Sequence, residues 1–316
     1  MIRICPGKDR DGHEEPGRRA LFAFLAGAAI LGTAGAARAQ VSASYDTAQL
    51  QFALNLQYLV TNYLRVAIYG TGGQLPAQLI RGGETGTALG VSMTSGSQVA
   101  FLGQTRSISA RLREIGDENL DRTTLLRSLL RADSPAQKLI DLSPAPFTTM
   151  FRLAGAIGPG ETFDPYASPI NCALAANCLI DVQAGALLSL VPTMTNDLAR
   201  DTIAALAANV CSDAATVRAI IYVQSQVQAR PDALIMVDRL AAWRDQISGA
   251  GVTDRGLSPV GSPSVSRLAL VDADGLALAR TPAQALNVLF MNAGAVTQGG
   301  FFPTGINGTT VRSAAN

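Results

Sequence analysis

The chain of 316 residues contains a single histidine, His13. Imidazole is the usual general base beside a nucleophilic serine or cysteine, and it is a common ligand of transition metals. His13 lies in a segment that we predict to be removed by cleavage after Ala39. The rest of the chain then contains no histidine, which excludes a Ser-His-Asp or Cys-His arrangement. Lys138 is the one lysine in this downstream region, and no nucleophile motif surrounds it, so a Ser-Lys dyad is not predicted.

Glutamates, which supply most of the carboxylate ligands in helical metal sites, are also scarce. Four of them follow Ala39: Glu84, Glu114, Glu118 and Glu161. The helical pattern predicts that three lie in loops or at a helix end and that Glu114 lies in the last turn of a helix. We therefore do not expect these four side chains to converge on one metal.

Three cysteines also follow Ala39: Cys172, Cys178 and Cys211. The first two fall on one predicted helix, where their separation corresponds to about 9 Å of rise, too far for a disulfide without a break in the helix. An oxidising compartment would still permit that bridge, so the pairing stays open. The composition favours small buried thiols, and for Cys211 it favours core packing over a redox or soft-metal role.

The N-terminus has the order of a cleavable export signal. The pair Arg18-Arg19 precedes the apolar run Ala20–Ala34, and Ala37-Arg38-Ala39 follows as the cleavage motif. The run is shorter than the roughly 20 residues that a membrane-spanning helix needs. We expect a twin-arginine type signal peptide over residues 1–39, with a general secretory signal as the alternative. The mature protein is then periplasmic or secreted and has no transmembrane anchor.

Charge and composition exclude one class of partner and favour one fold class. From Gln40 onward the chain has 19 Lys and Arg against 20 Asp and Glu, so no basic face for nucleic acid is predicted. Hydrophobic residues make up 48% of the chain and aromatic residues only 5%. Abundant Ala and Leu with few aromatics favour helices over a β-sandwich.

Apolar residues recur at helical spacing in four long stretches. Asp46 is the expected N-cap of the first, the Gly-rich segment 70–95 is expected to be a long crossover, and Gly116 is expected to end the second. Pro192 should end the third, and Thr195 or Asn196 should cap the fourth. The four predicted helices are Thr47–Tyr69, Gly96–Ile115, Pro169–Leu190 and Thr195–Gln228.

Shorter elements surround these four helices. Asp121–Ala132 and Ser134–Asp141 are predicted as short helices closed by Pro144 and Pro146, and Ala233–Ser248 as a final helix. A Gly, Ser and Pro-rich tail follows, and its adjacent residues Phe301 and Phe302 are expected to dock on the bundle. The predicted organisation is thus a signal over 1–39, a four-helix bundle over 40–230, and a C-terminal helix with its tail over 231–316.

Several stretches carry a family resemblance. They follow one another in order over most of the mature chain: Leu54 to Leu59, Phe163 to Ala167, Ala214 to Ala219, Ala279 to Gln284 and Gly299 to Gly308. With them the chain resembles the ferritin-like family typified by plant desiccation-related proteins. The resemblance implies an all-α fold: a ferritin-like four-helix bundle with crossover connections, extra short helices and a loop-rich C-terminal tail. It also implies a structural or stress-protective role.

The resemblance further implies where a metal site would lie. A ferritin-like di-iron or di-manganese bundle uses one Glu from each of two helices and a Glu-x-x-His pair from each of the other two. The positions that correspond here are changed, so no metal or other cofactor is expected. The degenerate ligand positions are Gln57 (or Val60 one turn later), Gln104 and Ser107, Ile180 with Asp181, and Val210 with Asp213.

Asp181 and Asp213 keep an alternative open. Two facing carboxylates with water could hold one hard cation such as Ca²⁺ or Mg²⁺, or an atypical iron or manganese site of an oxidoreductase or metal store. The simpler interpretation is that they are ion-paired helix residues, for example Asp213 with Arg218 or a neighbouring arginine. A third class is a binding module that holds an apolar ligand or protein partner. The favoured prediction is a non-catalytic, structural, stress-protective or binding protein whose partner is unknown.

Overall fold

The computed structural model describes residues 33–83, 89–91, 93, 96–227, 230 and 232–316. The chain divides into two compact units, Met1–Val41 and Ser42–Asn316, and the account below concerns the second. Residues 1–32, with His13, Arg18 and Arg19, lie outside the described part, so the export signal stays a prediction.

The second unit is built from helices. No β-strand occurs in the described residues, which contain only three isolated bridges in loops. The four long helices of the bundle are α1, α3, α5 and α6, so the predicted all-α fold is confirmed. In chain order the helices are α1 Thr33–Tyr69, α2 Ala77–Ile80, α3 Arg106–Leu130, α4 Pro144–Leu153, α5 Pro169–Leu190, α6 Asp197–Val227, α7 Asp232–Ser248 and α8 Pro282–Phe290.

Helix α1 starts earlier than the sequence pattern predicts. Asp46 lies inside the helix, and its carboxylate instead accepts hydrogen bonds from the backbone amides of Thr195 (2.9 Å) and Asn196 (2.7 Å). The Asn196 side chain caps α6 by accepting from Ala199 N at 3.0 Å, as predicted. Asp46 therefore links α1 to the start of α6 rather than starting its own helix.

Helix α3 corrects two predictions at once. It runs without a break over the stretch that was divided into a helix ending at Gly116 and a second helix from Asp121. Gly116 is buried, and a Cβ there would lie 3.5 Å from Leu64 Cβ and 3.8 Å from Arg65 Cγ of α1. At these distances a methyl group would make ordinary van der Waals contacts, so this buried glycine faces α1 from inside a continuous helix and does not stop it.

The segment 134–142 is not helical, contrary to the prediction for Ser134–Asp141. Its backbone bonds to distant segments instead: Gln137 N donates to Ile80 O (2.8 Å) and Asp141 N to Phe301 O (2.9 Å). Pro144 does not close a helix but occupies the first turn of α4, where a missing N–H costs nothing, with Ser143 as N-cap.

Helices α5, α6 and α7 agree with the prediction to within two residues at each end, and Pro192 lies in the 3₁₀ turn that follows α5. By length and composition, residues Pro169–Thr193 and Asp197–Val227 are apolar enough to cross a membrane. However, 83% of the apolar window in the first stretch is buried within the protein, against 44% in the second. The first stretch, which contains α5, is therefore the central helix of the bundle core.

The C-terminal tail docks on the bundle, as expected from its two phenylalanines. Phe301 and Phe302 are buried, and the Phe301 ring lies edge-on to Phe147 with 4.8 Å between centroids. Helix α8 precedes the tail and is an addition to the prediction. Thr281 and Gln284 form its capping box, a signal that is legible in the sequence.

Candidate functional site

A layer of buried amides crosses the bundle at Gln57, the degenerate ligand position predicted on α1. Gln57 Nε2 donates to the side-chain and backbone oxygens of Asn119 on α3, the latter at 3.1 Å. Gln57 Oε1 accepts from Gln183 Nε2 on α5 at 2.9 Å. All three side chains are at most 1% exposed. Three helices of the bundle thus meet through neutral carboxamides.

Two threonines extend this layer by one helical turn. The hydroxyl groups of Thr61 on α1 and Thr123 on α3 lie 3.0 Å apart, and Thr61 also bonds to Asn119 O at 3.1 Å. Both residues are fully buried. The hydroxyls satisfy one another and the helix backbone, which is the condition for burying polar groups without a large loss of stability.

Arg122 connects this layer to α6. Its guanidinium contacts Asp213 Oδ2 at 2.6 Å and Glu118 Oε2 at 2.5 Å. The Arg122 and Asp213 side chains are 5% and 7% exposed, whereas Glu118 is 41% exposed and also accepts from Asn209 at 3.2 Å. A positively charged group therefore lies between the carboxylates of α3 and α6.

Burial dominates the electrostatics of Asp213. It raises the pKa of this carboxyl to about 6, against the opposing effect of the hydrogen bond and charge of Arg122. The carboxylates of Glu118 and Glu114 add to the rise. Asp213 is therefore ionised at neutral pH and takes up a proton in mildly acidic solution.

Asp181 on α5 belongs to a separate buried network. Its Oδ2 accepts from Arg218 Nη1 of α6 (3.0 Å), from Arg244 Nη2 of α7 (3.2 Å) and from Asn177 Nδ2 (2.8 Å). Both arginines and Asp181 are fully buried. Burial raises the pKa of Asp181, and the two arginines oppose that rise.

The network continues into the C-terminal segment through Asp254. This carboxylate pairs with Arg244 Nε at 2.5 Å and with Arg280 Nη2 at 3.0 Å. Burial acts to raise its pKa, but the two guanidinium groups overcome that effect and lower it to about 2. Arg280 Nε also donates to Ser248 Oγ at 3.1 Å. Helix α7 and the irregular segment that precedes α8 are thus joined in one charged network.

The predicted ligand positions are only partly brought together. Gln57 and Asp213 both contact the polar layer of α3, whereas Asp181 and Asp213 pair with different arginines. Asp213 is held in an ion pair, as the simpler interpretation predicted, but its partner is Arg122 of α3 and not Arg218. Ile180 and Val210 are buried apolar residues of the core.

The structure corrects the ligand positions that were predicted for α3. Ser107 is exposed in the first turn of α3, and Gln104 lies in a 3₁₀ turn before it, with its side chain outside the described part. The residues that contact Gln57 and Asp213 are Asn119 and Arg122, which keep the three-residue spacing but lie 15 residues later. That shift corresponds to about 22 Å along a helix.

Sequence reasoning thus missed Asn119, Arg122 and Gln183, and it placed Glu118 in a loop or at a helix end although Glu118 lies in the middle of α3. One signal was available. Asn119, Arg122 and Thr123 fall between the apolar positions Ile115 and Leu126 of a single helix, so their polar side chains interrupt its buried stripe.

The side chains of the amide layer and Arg122 are not suitable ligands for two metal ions. Carboxamides are neutral and cannot offset the charge of two divalent cations, and a guanidinium has five N–H donors but no lone pair to offer. Among the described residues, no group of three or more His, Cys, Asp or Glu side chains is placed to hold a metal. The thiols of Cys172 and Cys178 are free and buried, which raises the pKa of each to about 12 and makes them poor nucleophiles.

The raised pKa of Asp213 leads to a testable pH dependence. Because the folded protein binds this proton more tightly than the unfolded chain, the contribution of Asp213 to stability falls as pH rises from about 4 to about 6. The free energy of unfolding of Asp213→Asn, measured by urea titration, should lack this fall. Identical pH profiles for the variant and the unmodified protein would contradict the assignment.

Comparison with known proteins agrees with this architecture. The family model described as a ferritin-like domain matches residues 45–223, more than half of the chain. The chain is 26% identical over 253 residues to the desiccation-related protein PCC13-62 of Craterostigma plantagineum, a match that covers 76% of each protein. No solved structure matches. The chain belongs to the ferritin-like domain family.

Proposed function

We propose that this chain is an exported ferritin-like protein of the desiccation-related type that has lost the di-metal site and has a structural, stress-protective or binding role without catalysis. The observation that carries the proposal is the guanidinium of Arg122, buried between Asp213 and Glu118 at the polar layer of the bundle.

The charge balance of the layer supports a metal-free core. Arg122 already pairs with the carboxylates of Asp213 and Glu118. Helices α1 and α5 contribute only amide and hydroxyl groups to the layer. A divalent cation beside Arg122 would be repelled by it and would lack the anionic ligands that repay dehydration of the ion. The layer therefore supports packing and helix register and not redox chemistry.

The alternative of a metal-binding oxidoreductase or metal store has less support. Its candidate ligands, Asp181 and Asp213, are each held in a buried ion pair with a different helix. Recruiting them to one ion would break both pairs and leave arginines uncompensated in the core, which is costly. No contact among the described residues favours that rearrangement.

The protective part of the proposal rests on the relative. The protein from Craterostigma plantagineum carries the name desiccation-related, and the match to it spans three quarters of this chain. A large, well-filled core with buried ion pairs suits a protein that must keep its fold as water is withdrawn, because dry surroundings strengthen charge interactions.

We expect the purified protein to work without metal. After incubation with Fe²⁺ or Mn²⁺ and desalting, elemental analysis should find far less than one ion per chain. Metal-stripped and metal-treated samples should then protect a reporter enzyme equally through drying and rehydration. About two ions per chain, the stoichiometry of a two-metal site, or protection only after metal treatment would contradict the proposal. An equal mass of unfolded chain is the control, and no advantage over it would contradict the protective role.

The export proposal has its own test. The twin-arginine type signal over 1–39 predicts a periplasmic or secreted product that begins at Gln40. Replacing Arg18 and Arg19 together by lysine should leave the full-length chain in the cytoplasm, while Arg10→Lys, outside the pair, should be exported normally. Intact-mass measurement of each fraction reads the result. Normal export of the double variant would rule out the twin-arginine route.

A further inference from the structure

One buried side chain joins two loop segments of the C-terminal region, 255–256 and 267–268. The Arg218 guanidinium donates to the backbone oxygens of Arg255 (2.9 Å), Gly256 (2.6 Å), Arg267 (2.9 Å) and Leu268 (2.9 Å). Arg218 is itself fully buried and anchored by Asp181 at 3.0 Å. The bundle core thereby fixes the backbone that carries Arg255 next to the backbone that carries Arg267.

Arg255 and Arg267 line a common cleft of about 390 Å³. Both residues are half-buried. Among the residues that the structure describes, neither guanidinium has a carboxylate within salt-bridge distance, in contrast to Arg218, Arg244 and Arg280. The remaining lining of the cleft is formed by Thr253, Asp254, Val271, Asp272, Ala273 and Gly275.

Arg255 and Arg267 place like charges on the same cleft. Burial lowers the pKa of Arg255, and the charges of Arg267 and Arg218 lower it further. Like charges held together by a rigid backbone raise the free energy of the folded protein unless an anion lies between them. Binding of a negatively charged group in the cleft would therefore lower the free energy of the folded protein.

The carboxylates that border the cleft do not supply that group. Asp254 is neutralised by Arg244 and Arg280 on its buried side. Asp272 Oδ1 accepts the backbone amides of Asp274 (3.0 Å) and Leu276 (2.9 Å), so it closes a turn. Asp272 still carries a negative charge at the rim and opposes anion binding in part.

We propose that the cleft between Arg255 and Arg267 is a binding site for a phosphate group. Two guanidinium groups offer planar pairs of N–H donors that match phosphate oxygens, and the polar residue Thr253 also lines the cleft. The site is separate from the amide layer of the bundle. The phosphate is carried either by a small metabolite or by a lipid headgroup.

Calorimetric titration of the full mature chain with inorganic phosphate tests the site. Each of Arg255→Gln and Arg267→Gln should weaken binding by about tenfold, as expected for losing charge-assisted hydrogen bonds, and the double variant should abolish it. Arg106→Gln, at an exposed arginine of α3, is the matched control and should bind as the unmodified chain does. Asp272→Asn removes a repelling charge and should tighten binding.

Two further measurements make the result decisive. Unchanged thermal unfolding shows that the glutamine variants are folded; if they are not, Arg255→Lys with Arg267→Lys keeps the charges and should still weaken binding. Sedimentation with phosphatidylglycerol vesicles, against phosphatidylcholine vesicles, distinguishes the sources. Phosphate-sensitive binding to the anionic vesicles indicates a lipid headgroup, and phosphate binding without vesicle binding indicates a soluble ligand. No phosphate binding by the unmodified chain, or equal binding by the double variant, overturns the proposal.

Discussion

The ion pair between Arg122 and Asp213 is the constraint on which the centre of this bundle depends. It joins α3 to α6 at the turn where Asn119 meets Gln57 of α1, so one short stretch of α3 contacts both neighbouring helices through polar groups. Removing one member of a buried pair leaves an uncompensated charge and typically costs about 3–5 kcal/mol. The pair links α3 to α6 at the level of the amide layer and so favours one register of these two helices.

The same principle recurs in the second half of the chain, where the buried charged groups are paired with groups of opposite charge. Arg218 holds the loop backbone, Arg244 and Arg280 share Asp254, and Asp181 anchors the group to α5. Such networks are weak evidence for high stability. They do disfavour wrong arrangements strongly, because a misplaced element would leave an unpaired charge buried in the core. The loop-rich segment before α8 is thereby given one position on the bundle despite having little regular structure.

Much of the fold follows from local signals in the sequence. The prolines at the start of α5 and beyond its end predict that helix, because each acts through its own backbone geometry. Gly116 misleads, since a glycine can end a helix or occupy a buried position inside one, and the local pattern does not distinguish the two. The candidate site divides in the same way. Gln57 could be located through the resemblance, whereas Asn119 and Arg122 lack the carboxylate and imidazole that mark a ligand pair and are recognised only by their partners across the bundle.

We propose that a guanidinium and its carboxylate, and not a metal, hold the middle of the bundle together. A double-mutant cycle at pH 8 with Arg122→Met and Asp213→Leu tests it most directly through the free energy of unfolding. We predict that each single change is destabilising and that the double variant recovers part of the loss, with a coupling energy of about 2 kcal/mol or more. Additivity within about 0.5 kcal/mol, or an unfolding free energy that rises only when Fe²⁺ or Mn²⁺ is added, would contradict the account.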